Sequence, residues 1–334
     1  SGGASCPSLL LEPQRSNLAL HSEYFGNSVW FKGNASVVDN AAISPEGVQN
    51  AAKLVESTSS STHYIRSGFF NTTDGSTLTT SLFVKAGERT EIVLYENAYT
   101  GHFVYADLVA ESVTTNGVDA DIEPLENGWF RIYIIDDAFP STRWQIRLGK
   151  DGSTDYQGDG TSGAYIYGFQ VENQASYPTS YIPTYGTSQT RSGDSCYLQS
   201  ANVHSSSAGT IFFEVGDYDT NTSASGFNKI LVFDEVNTTS LDNVIYFEEY
   251  AGNNTILIRK GGSTLLQSTP NYQDLRGSKV AIKWSSEGAK VFIDGVLNNS
   301  YVGDASLDIQ YFGFDNPYNG QIISTIKMNQ LAGF

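Results

Sequence analysis

Lysine and arginine are scarce: 19 stand against 36 aspartates and glutamates, a formal net charge of −17. Such a chain repels a phosphate backbone, and no basic run interrupts the acidity, so nucleic acid is not an expected partner. Charged residues of both signs make up only 16% of the chain, and Met328 is the single methionine. Long amphipathic helices laced with i, i+4 ion pairs are therefore excluded. No apolar run approaches the ~20 residues needed to cross a bilayer. The opening SGGASCPSLLLEPQRSN lacks the charged and long apolar regions of a signal peptide, so no membrane insertion is expected. Opening on Ser-Gly-Gly and closing on the strand-like IISTIKMNQLAGF, the chain reads as a piece of something longer.

Two cysteines are too few for a disulfide framework, and no CxxC or Cys/His cluster is present to hold zinc. Two readings of Cys6 and Cys196 stay open. Cys6 precedes the first domain and Cys196 opens the second, and a bond between them would staple the seam at about 5 kcal/mol on the chain-entropy model; otherwise they are two buried thiols. With four histidines and no G-x-S-x-G, H-E-x-x-H or Gly-rich phosphate loop, nucleophilic, zinc and phosphoryl chemistry have no visible motif.

What is abundant is glycine, serine, threonine, asparagine and aromatic side chains, with 20 tyrosines and 18 phenylalanines. Short runs of β-formers separated by Gly, Asn or Asp turns recur throughout: STLTTSLFVKAG, TEIVLYENA, GHFVYADLVAES, GWFRIYIIDD and TRWQIRLGK, then GTIFFEVGDYD, NVIYFEEYAG, NTILIRKGG and VAIKWSSEGAKVFIDG. That is the pattern of all-β sandwiches or jelly rolls. At roughly 100–200 residues per domain, 334 residues predict two. Pro178 and Pro183 cannot donate to a ladder, which places a seam over 173–195. The expected division is a lead-in strand at 1–16, a first jelly roll at 17–183 and a second sandwich at 184–334. In HSEYFGNSVWFK, the cluster of Tyr24, Phe25, Trp30 and Phe31 reads as core. In the second half, Ile282 and Trp284 are expected inward with Val291 and Ile293, across a turn at Glu287–Gly288.

Three stretches carry a resemblance: CPSLLLEPQRSNLALHSEYFGNSVWFK, ISPEGVQNAAKLVES and VENQASYPTSYIPTYGTSQTRSGDSCY. Together they resemble a family of modular proteins from tailed bacteriophages and prophages. In that family a carbohydrate-binding-module-like jelly roll precedes a concanavalin A-like, laminin-G-like sandwich. The resemblance implies a tail fibre, tail spike or related protein on the virion surface, extracellular, recognising polysaccharide or cell-surface glycan. It does not say which residues bind.

Alternation along two strands suggests where a sugar would sit. Trp144, Ile146 and Leu148 share one face of TRWQIRLG, leaving Arg143, Gln145 and Arg147 on the other. In GWFRIYII, Phe130, Ile132 and Ile134 oppose Trp129, Arg131 and Tyr133. A pyranose offers a C–H face to an aromatic ring and hydroxyls to planar amide or guanidinium groups. Arg131, Tyr133, Gln145 and Arg147 fit that demand, with Glu91, Tyr95 and Tyr99 on neighbouring strands or loops. The competing reading is an ordinary solvated sheet face with cross-strand Glu–Arg pairs. Asp151, Asp155 and Asp159 in KDGSTDYQGDGTSG form an acidic, Gly-rich loop without EF-hand spacing, and calcium stands there against a plain loop. Asp315, Asn316 and Tyr318 in GFDNPYNG pose the same choice. His102, near Tyr99 in ENAYTGHFVY, reads as a surface hydrogen-bonder.

Glycoside cleavage needs two carboxylates flanking a bond at ~5–10 Å, and the E-x-D-x-x-E string of laminarinase-like enzymes is absent. A non-catalytic glycan-recognition module is the leading reading. The alternatives are a structural virion part and a polysaccharide-degrading enzyme. Weak single-sugar contacts would be multiplied by homotrimerisation of the full-length parent.

Overall fold

The computed structural model describes residues 9–194, 196–199, 207–214, 228–234, 242–250, 253–268, 275, 277–309, 311–314, 326–328 and 331–333. Throughout these residues the chain is all-β, its single helical segment being one turn of 3-10 helix at Glu126–Gly128. Arg15–Arg191 form one compact unit; Ser192–Phe334, with the chain before Arg15, form another. Cys6, Asp315, Asn316 and Tyr318 lie outside the described residues, as does any pairing of Cys6 with Cys196.

The first unit is a sandwich of two six-stranded antiparallel sheets. The front sheet runs, in spatial order, Ser112–Thr115, Phe103–Asp107, Glu91–Glu96, Trp144–Gly149, Tyr64–Arg66 and Phe31–Gly33. The back sheet runs Asp119–Pro124, Trp129–Asp137, Thr77–Lys85, Gly163–Asn173, Ala51–Glu56 and Ala35–Ala42. Because side chains alternate across a strand, each sheet has one apolar face, and the two apolar faces meet. The front sheet supplies Ile65, Ile92, Leu94, Val104, Trp144, Ile146 and Leu148; the back sheet supplies Leu54, Leu82, Val84, Phe130, Ile132, Ile134 and Ile166. The inward sets expected for both strands are thus in the core, each at 7% exposure or less. The aromatic cluster near the N-terminus divides: Phe25 and Trp30 are buried in this core, whereas Tyr24 and Phe31 are about half exposed. Trp30 and Phe31 are neighbours on an extended chain, so burying one turns the other outward.

The boundary between the units falls after Arg191, inside the expected seam over 173–195, and the segment with Pro178 and Pro183 packs within the first unit. Its backbone cannot join a ladder, so side-chain amides take its polar groups. Asn17 Nδ2 donates to the carbonyls of Phe169 (3.1 Å) and Ile182 (2.9 Å), and the Ile182 amide donates to Gln170 Oε1 at 2.7 Å. The Gly163–Asn173 strand reaches this segment through a register shift between Tyr167 and Gln170. Gly168 there has φ +61°, and a Cβ would lie 2.8 Å from the Phe83 ring, so the bulge depends on glycine. The described chain before residue 17 is shared: Arg15–Asn17 pair with Gln189–Arg191, and Leu9–Leu11 with Ile326–Met328.

The second unit also stacks two antiparallel sheets. One orders Cys196–Gln199, Tyr311–Phe314, Asn228–Asp234, Val244–Tyr250, Asn253–Lys260 and Ser263–Ser268; the other orders Val296–Val302, Gly288–Ile293, Lys279–Ser285, Gly209–Glu214 and Leu331–Gly333. Ile211, Phe213, Ile282, Trp284 and Val291 face Ile245, Phe247, Ile256 and Ile258 in its core. Trp284 is fully buried because its indole N–H reaches the Leu307 carbonyl at 3.0 Å. The hairpin closes one residue earlier than expected: Ser285 pairs with Gly288, leaving Ser286–Glu287 as the turn.

Candidate functional site

The face-to-face packing decides where the expected sugar-binding residues can act. Gln145 and Arg147 stand on the outer face of the front sheet, and Arg131 and Tyr133 on the outer face of the back sheet. The core lies between the two pairs, so they cannot share a ligand. A single sequence strand shows which side chains oppose its core face, not which sheet it joins.

On the back sheet the outer face is closed around Arg131. The segment over 176–185 crosses it, and Arg131 donates from Nη2 to Ser81 Oγ (3.0 Å) and the Thr179 carbonyl (2.7 Å), over the Phe83 ring. Arg131 is 8% exposed and Trp129 1%. Beside it, Glu172 is buried against Thr179; burial pushes its carboxyl up, and its hydrogen bonds to Thr179 and Gln170 pull it down. Arg131 is thus a structural cation, a correction to its expected role. Tyr133 is half-buried and pairs with Asp121 on the acidic edge strand. Burial first, then Asp121 and Glu123, push its hydroxyl up. Arg131→Ala should destabilise the first unit by roughly 2–4 kcal/mol, since it orphans buried acceptors. Glycan affinity of the folded protein should stay unchanged, which thermal unfolding and titration calorimetry would read separately.

The front sheet presents an ordered face on which Phe31 is 51% exposed and Tyr64, Arg66, Tyr95 and Arg147 are partly exposed, while Gln145, at 6%, is buried among them. Strand register lays its outward side chains in rows. One row runs Phe103, Tyr95, Gln145, Arg66, Phe31; the next runs Tyr105, Val93, Arg147, Tyr64, Gly33. Five strands at ~4.8 Å spacing make each row about 19 Å long, enough for several sugar rings side by side. Arg147 stacks 3.5 Å above the centre of Tyr95 while its Nε donates to Gln145 Oε1 at 2.7 Å. Arg66 lies 4.7 Å over Phe31, and Phe31 tilts against Tyr64 at 6.2 Å. Gly33 completes the platform: a Cβ there would sit 2.3 Å from the Tyr64 ring, so only glycine lets the ring lie over that edge strand. Burial pushes the Arg147 guanidinium down, and Tyr95 acts against it.

Two of the remaining expected residues frame this face. Glu91 sits at its far end, accepting from the Tyr105 hydroxyl and from the Gly152 amide at 3.1 Å. That is the cross-strand partnering of an ordinary sheet, and burial with Glu91 pushes the Tyr105 hydroxyl up. Tyr99 lies in the adjoining loop, half exposed and stacked on Phe139 at 4.9 Å. The loop is built on buried Glu96, whose carboxylate accepts the amides of Ala98 (2.8 Å), Tyr99 (2.9 Å) and Thr100 (2.9 Å). His102 bonds the buried Asp136 at 2.9 Å; burial pushes Asp136 up, and His102 pulls it down. Beyond Phe31 and Arg66, the chain-adjacent Trp30 and Ser67 line a cleft of about 270 Å³ together with Leu18, Leu20, Phe69 and Asn71.

Phe31, Tyr64 and Arg66 are the site residues missed from sequence. Phe31 stands beside buried Trp30 in an aromatic cluster, and Tyr64–Arg66 is a strand of three residues. Its signal was the alternation Tyr64, Ile65, Arg66, with Ile65 fully buried between outward neighbours.

The acidic loop does not assemble a calcium site. Asp159 spends its carboxylate on its own turn, accepting from the Thr161 amide (2.7 Å), the Ser162 amide (2.7 Å) and the Ser162 hydroxyl (2.5 Å). Those bonds hold it well below the usual carboxylate range. Asp151 and Asp155 are exposed elsewhere along the loop. Among the described residues no group of three or more His, Cys, Asp or Glu could hold a metal. No described helix is long and apolar enough to cross a membrane.

No protein-family model matches this chain, and no curated protein matches it. Among solved structures it is similar to the LG4-5 domains of the mouse laminin alpha1 chain. The identity is 13%, over 83% of this chain and 88% of that one, with a TM-score of 0.30. Likeness at that level carries no argument about the site, which rests on the geometry above.

Proposed function

We propose that this chain is a non-catalytic glycan-recognition module, with the front-sheet face of the first unit as its binding surface. The observation that carries the reading is the pair of side-chain rows on an uncovered sheet. Aromatic rings Phe31, Tyr64 and Tyr95 alternate there with Arg66 and Arg147, and buried Gln145 braces Arg147. The rings offer apolar platforms to the C–H faces of pyranoses, and the planar guanidinium groups offer paired donors to hydroxyls. No lid or deep cavity is needed for an extended polymer, and a shallow face gives the modest affinity that multivalent attachment then amplifies. The motif resemblance supports placing it on a phage tail fibre, spike or related virion surface protein that meets polysaccharide or cell-surface glycan outside the host, and homotrimerisation of the full-length parent would multiply the weak contacts.

The test is a glycan array probed with the whole chain, followed by calorimetry on the strongest ligands. Selective binding at micromolar to millimolar Kd is expected, with no release of reducing ends or unsaturated products on long incubation. Absence of binding to any glycan would favour a structural role in the virion.

A further inference from the structure

Three arginines mark this face in a chain of net charge −17. Arg66, Arg143 and Arg147 all stand on it or at its border. Each is laid over an aromatic ring: Arg66 on Phe31 at 4.7 Å, Arg143 on Phe69 at 4.5 Å and Arg147 on Tyr95 at 3.5 Å. No ion pair among the described residues reaches any of them. Four other cations are spent otherwise: Arg89 is clamped on Glu56, Lys53 on Glu88, Lys260 on Asp304, and Arg131 is sealed behind Thr179. In a protein of net charge −17, three guanidinium groups without acid partners would be expected to attract nearby carboxylates. Glu91, on the same sheet, is turned to Tyr105 and the Gly152 amide instead.

Guanidinium has five N–H donors in a planar fork matched to a carboxylate or a sulfur or phosphorus oxyanion. In Arg143 and Arg147 the Nε is occupied, by the Asn97 carbonyl at 2.9 Å and by Gln145 at 2.7 Å. That anchoring fixes each plane and leaves the terminal nitrogens for a ligand. We infer that the glycan taken by this face is acidic, its anionic substituents received by Arg66, Arg143 and Arg147 while its rings lie on the intervening aromatics. The inference rests on the proposed glycan-binding function and narrows its substrate class. The net negative charge of the chain sharpens the selection, since an anionic chain is held off wherever acidic residues dominate.

The experiment compares three oligosaccharide probes on the full chain by calorimetry: a polyuronate (alginate), a sulfated galactan (carrageenan) and a neutral β-glucan (laminarin). At least one acidic probe is expected to bind about tenfold or more tightly than the neutral one, and that affinity should fall with added salt. The polyuronate and sulfated arms separate carboxylate from sulfate as the anion recognised. Arg66→Gln/Arg147→Gln should abolish the preference with folding intact by circular dichroism, whereas Lys283→Gln in the other unit should leave it unchanged. Should the double variant fail to fold, Arg147→Lys alone is expected to weaken acidic binding through loss of the fork. Neutral glucan bound as tightly as the acidic probes would overturn the acidic specificity and leave glycan recognition standing. Binding of none of the three, with none on the wider array, would overturn both.

Discussion

Replacing Tyr64 and Tyr95 together with alanine is expected to cost the protein at least about 2 kcal/mol of glycan affinity, roughly a thirtyfold rise in Kd. The two rings occupy adjacent rows of the front-sheet face, one on each side of the strand that carries Gln145 and Arg147. Removing them takes away the apolar platforms and also unseats the Arg147 guanidinium, whose stacking partner is Tyr95. Neither ring lies in the core, so the unfolding midpoint should move little. Tyr133→Ala is the matched control, since Tyr133 stands on the opposite outer face beside Asp121. Equal losses from Tyr133→Ala and from the front-face pair would mean that the ligand is held elsewhere.

The largest stability effect is expected at Glu56. Its side chain is fully buried and holds four elements together. Arg89 binds it in a bidentate fork (both contacts 2.6 Å), the Tyr156 hydroxyl donates at 2.8 Å and the Asp159 amide at 2.8 Å. Burial alone would push this carboxyl up; the Arg89 fork, the Asp159 amide and the Tyr156 hydroxyl outweigh it and hold it below 4.5. Glu56→Gln leaves a mostly buried guanidinium with only the more distant Asp159, at 3.7 Å, as counter-charge, at a cost of about 3 kcal/mol or more. For a unit of this size that is a fall of about 10 °C in the unfolding midpoint. Because folding lowers the carboxyl's pKa, its contribution is present above pH 4.5 and is lost as the pH falls below that. The gap between wild type and Glu56→Gln should therefore narrow on acidification, measured by calorimetric unfolding from pH 7 to pH 3. A gap that stays constant with pH would show that the ionised carboxylate is not what holds the cluster.

Much of this architecture is legible in the sequence because strand side chains alternate with period two. That period separates Trp144, Ile146 and Leu148 from Gln145 and Arg147, and Phe130, Ile132 and Ile134 from Arg131 and Tyr133, as the structure has them. What a strand cannot reveal about itself is its neighbour. The front sheet pairs Glu91–Glu96 with Trp144–Gly149, and then with Tyr64–Arg66, some eighty residues away in sequence. Arg131 looked like a ligand contact for the same reason: only the return of the proline segment, with Thr179 reaching across the back sheet, buries it. The aromatics at 24–31 looked like one cluster because composition does not record that Phe25 and Trp30 turn inward while Phe31 turns out. The acidic loop resembles a cation site in composition alone, because composition does not record that Asp159 caps its own turn.

The most direct measurement is the crystal structure of the chain with a bound acidic oligosaccharide. The account predicts sugar rings laid across the front sheet, stacked on Tyr64 and Tyr95, with anionic oxygens within hydrogen-bonding reach of Arg66 and Arg147. A ligand bound on the back sheet or within the second unit, with that face left bare, would contradict it.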